Sequence, residues 1–199
     1  RTLSFPLYPV QISASGPAGS PDVISVLAGN SSFLASPQVF TSSTATTKTT
    51  NAIGRGGFRH GDVVVVSGNE TALPASADCA LAQITDNASG APIAHVGGSY
   101  VPDPFYSAAS SAASRFNASS GTGSTFGGGT MFNLGPSPQL NQWQTNGRAL
   151  SRTDYLHGTP AFEIADGVIN MKADYGVDSG AIGDNIISDS EWTTTTPTD

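Results

Sequence analysis

Residues 63–67 read VVVVS, four consecutive valines introduced by the Gly61-Asp62 pair. A β-branched run loses side-chain freedom in a helix and fits a pleated sheet. Because it contains no polar position, it predicts a strand covered on both faces. The Gly-Asp pair before it is turn chemistry. Residues 81–85 (LAQIT) form a second apolar run, expected to pair with the first across the turn-rich residues 68–78 (GNETALPASAD).

The rest of the chain points the same way. Only 12% of the 199 residues are charged, and 23 glycines and 13 prolines punctuate short apolar runs, which describes strands and turns better than long helices. The expected fold is α+β and predominantly β, an antiparallel sheet with long loops and at most short helices. A chain of this length can bury one sizeable core, so residues 1–199 read as a single globular head, with 193–199 as a tail. Further strands are expected at 5–12, at an edge because of Pro6 and Pro9, and at 23–27. Residues 41–50 read as a Ser/Thr loop. Grouped alanines in 106–116 predict a short helix, and 117–130 (NASSGTGSTFGGGT) a flexible loop.

Residues 167–178 (GVINMKADYGVD) follow the motifs LSRTDYL and PAFEIADG. From Ile169 onward, Met171, Ala173, Tyr175 and Val177 alternate with Asn170, Lys172, Asp174 and Gly176. That period predicts one strand face toward the core and one toward water. The V-x-x-(M/L)-x-x-x-YGVD ending resembles the C-terminal signature of PilW-type minor pilins of the type IV pilus. Four more blocks are similar to that family in its order: 21–29 (PDVISVLAG), 57–67 (GFRHGDVVVVS), 79–85 (CALAQIT) and 132–136 (FNLGP).

The resemblance implies a structural and assembly role: the soluble head of a minor pilin that helps initiate the pilus, located at its tip. It implies other minor pilins and the major pilin as partners, and an anchoring hydrophobic helix ahead of Arg1. It also implies residence in the bacterial inner membrane and periplasm before assembly, and in the surface pilus afterwards. The longest apolar run here, Val63 to Val66, is too short to cross a bilayer, so the isolated chain is expected to be a soluble monomer. Two alternatives stand beside this reading: an adhesin or type II secretion pseudopilin-like binding module, and a β-rich hydrolase.

The residues give little support to chemistry. A net charge of −7 with a pI near 4.6 disfavours nucleic-acid binding. The single cysteine, Cys79, excludes an internal disulfide framework and is expected to be buried beside Ala80, Leu81, Ala82 and Ile84. The Gly-rich loop has neither G-x-G-x-x-G nor G-K-[ST]. His60, His95 and His157 form no H-x-x-x-H pair, and no G-x-S-x-G elbow accompanies them. No catalytic centre and no cofactor are therefore expected. Carboxylates gather at 174–191, and 178–184 (DSGAIGD) is similar to a "DtnGDG" loop of the family. There Asp178 and Asp184 are the candidates for Ca²⁺. Gly180 and Ile182 occupy positions that would need oxygen ligands, so a solvated acidic turn is expected instead. The sequons at Asn30, Asn69, Asn87 and Asn117 match chance for a chain so rich in Ser and Thr.

Overall fold

A computed structural model of the chain describes residues 7–14, 16–32, 36–51, 55–68, 79–86, 92–118, 126, 128–178 and 186–195. These residues form antiparallel sheets, with a 3-10 turn at Asp189–Glu191 as their helical part. The β-dominated α+β expectation is met at that level. Among the described residues no helix is long and apolar enough to cross a membrane.

The chain divides into two compact units. It enters the first through β1 (Val10–Ala14) and β2 (Asp22–Ala28). It then builds the whole second unit, residues 29–138, from β3 (Gln38–Ser43), β4 (Thr47–Thr50), β5 (Val63–Gly68), β6 (Cys79–Gln83), β7 (Ile93–Ala94), β8 (Ser99–Tyr100), β9 (Ala112–Ala113) and β10 (Gly129–Gly135). It returns to complete the first unit with β11 (Gln139–Asn146), β12 (Ala149–Asp154), β13 (Phe162–Asp166), β14 (Tyr175–Gly176) and β15 (Trp192–Thr193).

In the second unit the sheet order is β6-β5-β10-β3-β4-β7. The valine run behaves as its sequence requires. β5 lies between β6 and β10, and Val63, Val64, Val65 and Val66 are all buried. Beyond β6, Thr85 donates its N–H to the Ala94 carbonyl in β7 (3.0 Å), a backbone bond that links the two ends of the sheet. Phe40, Phe58, Ile84, Ile93, Phe126 and Met131 fill the interior with the inward valines. Gly129 is required where β10 crosses β5, because a Cβ there would lie 2.0 Å from the Ser67 carbonyl oxygen.

Two local expectations are corrected. Residues 41–50 are no loop: they supply parts of β3 and β4, with Lys48 and Thr50 buried. Threonine is β-branched, and Thr44 Oγ1 accepts the Thr46 and Thr47 N–H groups (3.2 and 3.0 Å), so the polar stretch turns and pairs as a hairpin. Residues 106–116 form no helix. Ala112–Ala113 is instead paired with β8, because small residues carry no apolar stripe that would favour a helix over an available edge. The first strand starts later than expected, at Val10, and is indeed an edge; residues 5–6 lie outside the described set.

The first unit is a five-stranded sheet of order β1-β2-β11-β12-β13. The segment after Gly167 flanks it. From Met171 the alternation holds, with Met171, Ala173, Tyr175 and Val177 half-buried and Lys172, Asp174 and Gly176 exposed, but Ile169, expected on the inward face, is 70% exposed. Only Tyr175–Gly176 is strand, because the segment is tied to its neighbours mostly through side chains. The Asp22 N–H donates to the Met171 carbonyl (2.7 Å), Asp22 Oδ2 accepts the Ala173 N–H (3.0 Å), and Tyr175 Oη accepts the Ile12 N–H (2.5 Å).

Candidate interaction surface

The GFRHGD block builds the most connected polar cluster. Gly61 turns the chain at φ +107°, and Asp62 follows it into the interior with no exposed surface. Its carboxylate accepts Tyr106 Oη–H (2.7 Å), Asn133 Nδ2–H (2.7 Å) and the Arg59 N–H (2.8 Å). Burial nevertheless pushes the Asp62 carboxyl above its ordinary pKa, against those three donors. Arg59 Nη1 grips both oxygens of Asp103 (3.1 and 3.0 Å), and His60 lies against the same carboxylate at 3.5 Å while also meeting the Val101 carbonyl. These groups are spent on each other, and they pin the 101–107 segment to the turn before β5.

The other two histidines sit in separate settings. His95 Nε2 is 3.1 Å from Lys48 Nζ, and both residues are fully buried. Lys48 also donates to the Thr44 and Thr47 carbonyls (2.8 and 3.3 Å). Burial lowers the Lys48 pKa to about 8; burial and then the neighbouring ammonium lower that of His95 to about 4. Neither side chain reaches solvent, so the pair has no route to a substrate. His157 Nδ1 meets Asp154 Oδ2 at 2.5 Å, while Asp154 Oδ1 accepts the Leu156 N–H (3.1 Å) in a side-chain-capped turn after β12.

Asp178 is half-buried, and Asp184 lies outside the described residues. Among the described residues no three His, Cys, Asp or Glu side chains gather as metal ligands would. Cys79 is half-buried rather than part of the core. It opens β6 opposite Ser67, on the sheet face away from Ala82, so strand parity turns it from the interior. An open cleft of about 320 Å³ beside Gly29, Pro37, Phe132 and Leu134 carries no titratable side chain.

The remaining feature is a surface in the first unit. Directly opposed residues share a sheet face, and the register runs Ile12, Ile24, Trp143, Arg152, Phe162 across all five strands. The adjacent row begins Val10, Val26, Asn141, Asp154. On the opposite face one row is Gln11, Ser25, Gln142, Thr153, all polar, but the rows beside it carry Val23, which is buried, and the Leu27–Leu140 pair. This face is closed at Asp22, Asn141 and Asp154, which are buried, and open elsewhere. Ile12, Ile24, Val26 and Trp143 are half-buried, Val10 is 42% exposed and Phe162 66%. A central strand of a packed sheet buries such residues against a second layer. Sequence reasoning missed this surface, because the alternation in β2 and β11 is visible but the register that aligns the rows is not.

Comparison with known proteins found no match among family models, curated proteins or solved structures.

Proposed function

We propose that the chain is the β-rich head of a PilW-type minor pilin, which joins other minor pilins to prime assembly of a type IV pilus and sits at or near its tip. The observation that carries this reading is the apolar, half-open face of the five-stranded sheet. The half-exposed apolar row of that sheet could take a covering element, and an amphipathic helix leading into β1 would supply it. In a pilin that helix continues into the membrane before assembly and into the fibre afterwards.

Two further observations support a role in assembly over one in turnover. The buried carboxylate of Asp62 and the ammonium of Lys48 are each committed to partners within the fold. The blocks similar to the family fall on structural positions: GFRHGD forms the turn before β5, and PDVISVLAG forms β2. The head acts through shape and surface, without cofactor, and engages protein partners in the periplasm and pilus. Sequencing the gene upstream of Arg1 tests the reading. A prepilin leader followed by a hydrophobic helix is expected, and a cleavable signal peptide joined straight to the head would count against it.

A further inference from the structure

In the second unit, β10 is paired unequally on its two flanks. β5 accompanies it from Gly129 to Gly135, whereas β3 reaches only from Gly129 to Met131. β3 begins at Gln38, after a bend at Ser36, so one flank of Phe132, Asn133 and Leu134 faces no strand. The open cleft of about 320 Å³ lies along these three residues, lined also by Gly29, Ser31, Ser36 and Pro37. Strand parity decides which backbone groups point into it. The Val39 carbonyl accepts the Asn51 N–H on the β4 side, and the Asp62 carbonyl accepts the Ile84 N–H on the β6 side. In an antiparallel ladder the N–H and C=O of one residue share a flank, and the next residue uses the other. Gln38 therefore bonds Met131, Val65 bonds Phe132, and the Asn133 N–H and C=O are left facing the cleft. Among the described residues neither group has a hydrogen-bond partner.

The floor of this slot is held in place. Asn133 Nδ2–H donates to Asp62 (2.7 Å) and Asn133 Oδ1 accepts the Gly135 N–H (2.7 Å), so the side chain fixes its own backbone. Asn30 donates its N–H to the Leu134 carbonyl (2.7 Å), and Gly29 lies so close that a Cβ would stand 2.8 Å from that oxygen. Phe132 is 42% exposed beside the slot, and Val39, opposite Thr130, is 55% exposed. We infer that the cleft binds an extended, uncharged peptide segment of a partner protein, added to β10 as a short antiparallel strand where β3 turns away. One residue of the segment exchanges both backbone hydrogen bonds with Asn133, and its two neighbours lie against Phe132 and Leu134. The segment is uncharged because no lining residue is titratable, and a charge held there would lack a counter-ion. A lipid chain would meet the apolar side chains but leave the opposed donor and acceptor of Asn133 unpaired. The inference stands on the strand pairing of this unit alone and goes beyond the minor-pilin reading.

The test titrates the ¹⁵N-labelled 199-residue chain with the blocked peptide acetyl-Val-Thr-Val-amide and follows the backbone amides by NMR. A second peptide carries an N-methyl group on the central threonine, which removes the donor meant for the Asn133 carbonyl. The expected result is a saturable shift of the Phe132, Asn133 and Leu134 amides, with the Asn133 N–H moving downfield as it gains an acceptor. N-methylation should weaken binding about tenfold, the loss of one backbone hydrogen bond. Phe132→Thr, an exposed change that keeps strand propensity, should weaken both peptides and leave the rest of the spectrum in place. Equal binding of the two peptides overturns the strand-addition inference. So do shifts confined to the edge strands β1 or β13, or no shift at about millimolar peptide.

Discussion

Ile24 and Trp143 stand directly opposite each other at the centre of the five-stranded sheet, and both remain half exposed. In the other unit the equivalent central pair, Val66 and Met131, is fully buried. The two sheets therefore differ in how much apolar burial opposes local opening. Hydrogen exchange of the isolated chain should find the β5 and β10 amides at least about tenfold more protected than those of β2 and β11. Equal protection would mean that the first sheet is as well packed as the second.

Neighbouring residues of β3 give a sharper contrast. Phe40 is 1% exposed and Val39 is 55% exposed. Phe40→Ala should cost about 3–5 kcal/mol in denaturant unfolding, and Val39→Ala under about 0.5. Similar losses for the two would show that β3 has the wrong face inward.

Asp62 ties Tyr106, Asn133 and the Arg59 N–H to one point. Asp62→Ala strands three half-buried donors around a buried position and should cost about 3 kcal/mol. The pH response has the opposite sign from that of a salt-bridged carboxylate. Because the folded Asp62 pKa is raised above 3.8, the folded state binds the proton more tightly. Its contribution to stability falls as the pH rises from 3.8 through the raised value. Asp62→Asn should remove that slope from a pH series of unfolding midpoints.

Lys48 and His95 titrate the other way. Lys48 falls from 10.5 to about 8 on folding, so between those values the unfolded chain holds more protons and stability rises with pH. His95 falls from 6.5 to about 4, so acidification through that window lowers stability. In Lys48→Met the rise between about pH 8 and 10.5 should vanish. Its persistence would show that Lys48 is not the group responsible.

The segment after Gly167 shows how far parity carries. Its alternation correctly places Tyr175 inward and Lys172 outward, yet an exposed Lys172 suggests a neutral position, and in the fold it bridges Asp22 and the Ser20 carbonyl. Periodicity reports which way a side chain points and says nothing of a partner about 150 residues away. The same limit explains Lys48. Its Thr-rich surroundings look like loop, and burial of an ammonium on two carbonyls and a histidine leaves no composition signal. The valine run and its Gly-Asp turn were legible because both constraints are local. The interaction surface was not, since Ile24 and Trp143 become neighbours only through β-pairing.

The proposal that this head serves in type IV pilus assembly can be tested in the cell. Its most direct test is made in the source bacterium: delete the gene, count surface pili by electron microscopy, and blot whole cells for the major pilin. Few or no pili with undiminished major pilin are expected, with rescue by the full-length gene but not by residues 1–199 alone. Normal piliation in the deletion strain would contradict it.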